Sequence, residues 1–196
     1  EKCIGYYQTY FRPNVAYMAI VGDVKFSEIK PLIEKALGTW QRADVPSFIP
    51  PLPSIPTKTT VAFVNKPGAV QSVINVTYPV ELKPNSEDVI KTRVLNSILG
   101  GGFSSRLFMN LREKHGFTYG ASSSLTNDEL IGQFSAFAKV RNAVTDSSVT
   151  EIMSELNRIR NEKVASAELE IIKNNIAGIF AISLEDPATI ARFAIN

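Results

Sequence analysis

The stretch LNSILGGGFSSRLFMNLREKHGFTYGASSSL, residues 95–125, decides the fold because its glycines divide it into three elements. Glycine readily adopts the backbone angles that end a helix, so the run at 100–102 is predicted to end one helix. The serines that follow can cap a second helix, which ends at Gly116. The segment 117–125 then alternates as a strand. The predicted order is helix, helix, strand.

The residues after this stretch predict a hairpin followed by helices. IGQFSAFAKV (131–140) alternates as a second strand, and Asn127 and Asp128 supply turn residues between the two strands. Two helical patterns follow, near 147–160 and 167–184. A last helical pattern begins after Asp186-Pro187 and stops partway. We therefore expect residues 1–196 to be one domain of a longer protein, with a truncated final helix.

The residues before the stretch predict further strands and helices. Two short apolar segments, AYMAIVG (16–22) and TTVAFVN (59–65), are predicted as strands, as is the alternating segment VQSVINVTY (70–78). Ser27 can cap a helix after the first strand, and Gly38 is placed for a left-handed cap. A helix opening at Asn85 or Ser86 is predicted to run to Leu99. A proline-rich connector, PSFIPPLPSIP, separates the first strand and helix from the rest.

Paired strands followed by helices predict an α+β domain, with an antiparallel or mixed sheet covered on one face by helices. The composition, with 44% hydrophobic residues, suits a chain of 196 residues that buries a substantial interior. A net charge of +2 gives no indication of a nucleic-acid partner. No apolar run approaches the roughly 20 residues that a membrane span needs.

The residue types limit the chemistry that this chain can carry alone. A closed zinc site needs three or four ligands led by His or Cys, and the chain has one of each, His115 and Cys3. An H-x-x-E-H helix is therefore impossible, and no G-x-S-x-G elbow aims a serine. His115 lies at a predicted helix end, where a cation is favoured without any catalytic role. Arg106 and the glycine run could hold an anion, although a corner between helices is the favoured interpretation.

Arg112 and Tyr119 are the remaining candidates for a site. Arg112 lies in the last helical turn and Tyr119 in the strand, with Gly116 reversing the chain between them. A guanidinium and a phenol are both hydrogen-bond donors, suited to a peptide carbonyl or a developing oxyanion. The alternative is a solvated cation at a helix end and a tyrosine at the edge of the core. Composition alone favours that alternative.

Two quoted stretches carry a resemblance to a known family. The core GGGFSSRL…LREKHGFTYG and the upstream YYQTYFRPNVAYMAIVGDV (6–24) resemble the C-terminal domain of pitrilysin/insulinase-type zinc metallopeptidases, the inverzincin family that includes mitochondrial processing peptidase. The proline-rich connector and the final helices also fall where that family has them. The resemblance covers nearly the whole chain.

The resemblance implies a companion, or inactive, domain that binds no zinc itself. It implies pairing with a homologous zinc-bearing domain, on the same chain or another subunit, which carries H-x-x-E-H and cleaves an unstructured peptide substrate. Arg112 and Tyr119 match a family arginine and tyrosine, seven residues apart, that reach the bound peptide. The resemblance favours a bacterial periplasmic or envelope setting over the mitochondrial matrix. The alternative is a catalytically dead scaffold subunit of the same fold, which has no chemical reason to keep that pair.

Overall fold

Three antiparallel strands form the sheet of the computed structural model, which describes residues 1–195. The strands are β1 (Gln71–Val80), β2 (Thr118–Thr126) and β3 (Gly132–Arg141). Their order across the sheet is β1-β3-β2, so β3 is central and β2 is an edge strand. β2 and β3 form the predicted hairpin around Asn127 and Asp128, because Asp128 Oδ1 accepts a hydrogen bond from the backbone of Leu130 and closes the loop.

Along the chain, helices precede and follow the strands of this sheet. After residue 80, the predicted helices begin and end within three residues of the observed bounds. Their bounds are α1 (Lys2–Tyr10), α2 (Phe26–Leu37), α3 (Asp88–Gly100), α4 (Arg106–Phe108), a π-helical turn (Met109–Lys114), α5 (Thr145–Asn161), α6 (Ser166–Ser183) and α7 (Pro187–Ile195). Short 3₁₀ turns lie at Pro13–Val15 and Asn142–Val144.

One face of the sheet is buried by helices, which confirms the predicted α+β fold. Along β3, Ala136, Ala138 and Val140 are fully buried, whereas Phe137 between them is exposed. The core includes residues from the sheet, α3, α4, the π-helical turn and α5: Ile74, Leu99, Leu107, Leu111, Ala121, Ala136, Ala138, Val140 and Ile152. Strand alternation therefore places one set of side chains against the helices and the other set outward.

Helix α3 lies tightly against the middle of the edge strand β2. A Cβ atom added at Gly100 would lie 2.2 Å from the backbone nitrogen of Ser123, so only glycine allows this approach. Asn96 fixes the same contact, because its Nδ2 donates to the Ser123 carbonyl at 3.2 Å and its Oδ1 accepts from the Ser123 hydroxyl at 2.8 Å. The glycine run thus ends α3 and also lets it reach the sheet.

The chain divides into two compact units. One is Pro51–Ile176, which contains the whole sheet, and the other combines Glu1–Pro50 with the chain from Ala177 onward. In the second unit, the rings of Phe180 and Phe193 contact each other edge to face at 5.9 Å and join α6 to α7. Asp186 accepts a hydrogen bond from the backbone of Ala188 at the start of α7, where the sequence predicted a helix.

Two predicted strands and two predicted caps are wrong. The segments 16–22 and 59–65 join no sheet within the described chain, because an apolar run alone supplies no neighbouring strand to complete the backbone hydrogen bonds. Ser27 is not a cap, since α2 already begins at Phe26 and no side chain caps it. Gly38 has a φ of −62°, in the right-handed region, because the chain turns once more and Trp40 donates to Leu37.

No helix within residues 1–195 combines the length and the apolar character that crossing a bilayer requires.

Candidate functional site

An ion pair between a buried arginine and a half-buried glutamate anchors the beginning of α4. Arg106 is only 8% exposed and donates from Nε and Nη2 to the two carboxylate oxygens of Glu168, at 3.0 and 2.8 Å. These hydrogen bonds lower the pKa of Glu168 and raise that of Arg106. The fork of Arg106 is thereby committed to a carboxylate of α6. The arginine of the glycine corner has a structural partner.

A second buried polar contact anchors the π-helical turn to α5. Asn110 donates from Nδ2 to Glu155 Oε1 at 2.7 Å and to Glu151 Oε2 at 2.9 Å. Asn110 and Glu155 are both buried, and Arg158 lies 3.6 Å from the second oxygen of Glu155. Charged acceptors strengthen these hydrogen bonds, so the turn has a fixed position on α5.

Arg112 lies on the outer side of this anchored turn. Its guanidinium carbon lies 4.8 Å from the centre of the Phe108 ring, which in turn contacts Phe103 edge to face at 5.1 Å. A cation over an aromatic face is attracted by the ring quadrupole, so Phe108 supports the arginine without using its hydrogen-bond donors. The side chain is 41% exposed, and its Nε lies 3.5 Å from Glu113. Most of its donor fork faces outward.

The chain reverses after Arg112 through a set of backbone hydrogen bonds. His115 donates to Asn110, Phe117 donates to Leu111, and Gly116 donates to Arg112. Gly116 has a φ of +60°, where L-residues are disfavoured, as expected for the residue that ends this helix. The π-helical geometry is rare, and single π-helical turns are frequent at functional sites. The turn carries the chain from Arg112 directly into β2.

Tyr119 lies in a β-bulge at the start of β2. Thr118 is opposite Val140 and Ala121 is opposite Ala138, so β2 spends one more residue than β3 over this interval. Ala121 and Ser123 are buried, and regular alternation would bury Tyr119 on the same face. The extra residue reverses that assignment, and Tyr119 is 89% exposed. Bulges occur next to active sites, where they redirect a side chain.

The other two candidate residues of the sequence are His115 and Cys3. His115 stacks on Phe117 at 4.8 Å, and its Nε2 lies 3.7 Å from Glu151. Cys3 is exposed and unpaired on α1. Within residues 1–195, no three His, Cys, Asp or Glu side chains come together as metal ligands. The residues present do not fit a zinc site, because the one histidine contacts a single carboxylate.

The two predicted donors form no hydrogen bond with each other within residues 1–195, and their proposed role stays a prediction. Sequence reasoning missed three features that shape their surroundings: Phe108, Asn110 and the bulge. Phe108 had a signal, since it precedes Arg112 by four residues, the spacing of neighbours on a helix. The bulge had a weaker signal in Gly120, a glycine inside a strand pattern. Asn110 had none, because its partners lie more than forty residues away.

Comparisons with known proteins agree with this architecture. The peptidase M16 inactive domain family matches residues 1–176. The uncharacterised zinc protease YmxG of Bacillus subtilis is 26% identical over 181 residues, which cover 92% of this chain and 42% of that protein. The chain therefore spans about two fifths of the length of this curated relative.

Solved structures show the same fold. A protease from Helicobacter pylori superposes with a TM-score of 0.73 at 25% identity, covering 87% of this chain and 42% of that one. A peptidase M16 inactive domain from Pseudomonas fluorescens gives a TM-score of 0.71 at 23% identity, covering 81% of this chain and 38% of that one.

The fold and the matched segments define a domain of the zinc-protease class. The chain belongs to the peptidase M16 inactive domain family.

Proposed function

We propose that this chain is the companion domain of an M16 zinc endopeptidase, which pairs with a homologous zinc-bearing domain and holds an unstructured peptide for cleavage. Arg112 and Tyr119 donate hydrogen bonds to the peptide backbone or to the oxyanion that forms on it. The family assignment and the zinc-protease names of the relatives support the pairing. The share of those relatives that this chain covers, 42 to 44%, leaves room for a second domain of similar size.

The single observation that carries the proposal is the exposure of Tyr119. A phenol 89% exposed at a position that alternation would bury has no packing reason to be there. Its hydroxyl forms no hydrogen bond within residues 1–195, so it is available to a ligand. Phenol and guanidinium groups are both hydrogen-bond donors. Both residues therefore offer protons where a peptide carbonyl gains negative charge.

Arg112 has the complementary support. Phe108 holds the guanidinium plane, and Asn110 holds the turn that carries it, so little side-chain freedom is lost when a ligand binds. The planar fork suits a carbonyl or carboxylate oxygen. Zinc belongs to the partner domain in this proposal, since the residues here do not fit it. A zinc-bearing domain would supply the metal-activated water.

The test compares the full-length peptidase with its Tyr119→Phe variant on an unstructured fluorogenic peptide. We expect kcat to fall by about 10²–10³, the typical cost of one oxyanion-type donor, and KM to change much less. Thermal unfolding should be unchanged, because the lost hydroxyl has no partner within the described chain. This chain without the zinc-bearing domain should show no cleavage. A Tyr119→Phe enzyme that works at the full rate would refute the proposed role, and so would zinc-dependent proteolysis by this chain alone.

A further inference from the structure

The hydroxyl of Thr118 lies at the bulge that contains Tyr119. Its Oγ1 lies 2.6 Å from the carbonyl oxygen of Lys139 on β3 and 2.9 Å from the carbonyl oxygen of Gly120. The backbone N–H of Gly120 donates back to the same Oγ1 at 3.1 Å. One side chain thus connects both residues that flank Tyr119 to the neighbouring strand.

The hydrogen-bonding capacity of a hydroxyl fits this arrangement. Oγ1 carries one proton, which serves the closer carbonyl, that of Lys139, and its lone pairs accept from Gly120. A bulge leaves its extra residue without a ladder partner, so some of its backbone groups need other partners. Thr118 supplies that partner to Gly120 and at the same time bonds to β3. The Thr118 hydroxyl therefore provides hydrogen bonds in place of those that the bulge removes between β2 and β3.

The register shows why this connection decides where Tyr119 points. Thr118 and Ala121 both face residues of the buried side of β3, Val140 and Ala138. Tyr119 and Gly120 share the interval opposite Lys139. If the bulge closed or moved past Gly120, Tyr119 would return to the alternation of Ala121 and Ser123, which face the core. The orientation of the phenol depends on a bulge that stays at this position.

We propose that Thr118 is a positioning residue, which locks the bulge through its hydroxyl and so keeps the Tyr119 phenol directed toward the bound peptide. The inference rests on the proposed function of Tyr119. In this proposal Thr118 does not contact the substrate and affects catalysis only through the orientation of Tyr119. Valine has nearly the shape of threonine without the hydroxyl, and serine keeps the hydroxyl without the methyl group. The two substitutions therefore separate hydrogen bonding from packing.

The experiment uses the full-length peptidase with Thr118→Val and Thr118→Ser, assayed on the same unstructured peptide. We expect Thr118→Val to lower kcat roughly 10- to 100-fold, as a misplaced catalytic group does, and Thr118→Ser to retain most of it. The melting temperature should move by no more than about 4 °C. Hydrogen exchange should show faster exchange of the Gly120 amide in Thr118→Val and near-normal exchange in Thr118→Ser.

Thr126→Val is the matched control. Thr126 lies at the other end of β2, and its hydroxyl also contacts the backbone of β3, at both the nitrogen and the carbonyl oxygen of Gln133. The Thr126→Val variant loses the same kind of hydroxyl-to-backbone contact on the same strand, at a position away from Tyr119. We expect its kcat to stay within about twofold of the parent. An equal loss of kcat in Thr126→Val would overturn the positioning role of Thr118.

A double variant separates this inference from the proposed function. If Thr118 acts through Tyr119, adding Thr118→Val to Tyr119→Phe should lower kcat by less than twofold, because the group to be positioned is already lost. A full additional loss, or a Thr118→Val enzyme with normal kcat, overturns the inference and leaves the role of Tyr119 intact. A fully active Tyr119→Phe enzyme overturns both. An unchanged rate of Gly120 exchange in Thr118→Val also overturns the inference, independently of catalysis.

Discussion

Arg106 and Arg112 lie six residues apart in one helical segment and have opposite surroundings. Arg106 is buried, and its Nε and Nη2 both donate to the carboxylate of Glu168. Arg112 is 41% exposed and rests on the ring of Phe108 with most of its donors free. The same residue type is therefore buried in an ion pair at one end of the segment and partly exposed to solvent at the other.

The difference separates the part of this segment that holds the fold from the part that is available for binding. Between Ser105 and Asn110 every residue except Met109 is buried, and Arg106 and Asn110 bond to α6 and α5. In the region from Arg112 to Tyr119, Arg112 rests on Phe108 with its side chain 41% exposed, and Tyr119 is 89% exposed. We therefore expect substitution of Arg106 to cost stability without altering the chemistry, and substitution of Arg112 or Tyr119 to do the reverse.

Replacing each arginine by lysine in the full-length protein tests whether the two regions differ in this way. Arg106→Lys keeps the positive charge but loses the bidentate geometry, so we expect a loss of about 2 kcal/mol in the free energy of unfolding, a value that allows for solvent screening at Glu168. The kcat of the folded enzyme should stay normal. Arg112→Lys should leave thermal unfolding unchanged and lower kcat/KM about tenfold, the worth of one charged hydrogen bond. A large loss of stability in Arg112→Lys would remove the distinction between the two regions.

The stability of Glu168→Gln at two pH values tests the contribution of the ion pair to the region from Ser105 to Asn110. Arg106 lowers the pKa of Glu168, so the ion pair contributes stability above the ordinary carboxyl pKa of about 4.3 and loses it as the pH falls further. At pH 7 we expect Glu168→Gln to cost about 1.5 kcal/mol in the free energy of unfolding, since the Glu168 side chain is 35% exposed and solvent screens part of the attraction. The difference from the parent protein should shrink below about pH 4, because protonation removes the same charge. Denaturant unfolding at pH 7 and at pH 3.5 measures this, and a constant difference would contradict it.

The smallest expected effect concerns the turn between the two regions. Gly116→Ala places a side chain at a φ of +60°, which should cost about 1 kcal/mol in stability although no atom lies within 4 Å of the added methyl. Gly102→Ala is the matched control, since its site is equally open and its φ is not positive. Equal melting temperatures for the two variants would show that the backbone angle of Gly116 is not limiting.

The sequence predicted the fold best where local chemistry and packing agree. The hairpin, α3, α5 and α6 have periodic apolar faces and turn residues at their ends, and each lies within three residues of its prediction. The predictions of strands at 16–22 and 59–65 were wrong because a strand needs a neighbouring strand to pair with. The hydrophobic pattern of a segment does not show whether that neighbour exists. The extra turn at Gly38 likewise depends on a backbone hydrogen bond that residue types do not specify.

The candidate site was predictable in its residue types and not in its geometry. Arg112 and Tyr119 followed from the spacing around Gly116 and from the family resemblance. Their exposure depends on contacts between distant residues, such as Asn110 with Glu155 and Thr118 with Lys139. The bulge is a property of two paired strands, so a single strand read alone places Tyr119 on the wrong face.

The close contact of Gly100 with Ser123 also bears on self-association. An edge strand offers a row of free donors and acceptors that a second strand can copy, which is how many aggregates start. On β2 this row is interrupted at its middle, where the Ser123 carbonyl already bonds to Asn96 and the α3 backbone fills the adjacent space. A foreign strand can therefore not run along the full length of β2, and the domain keeps an accessible end beside Tyr119 without exposing a continuous template for fibre growth.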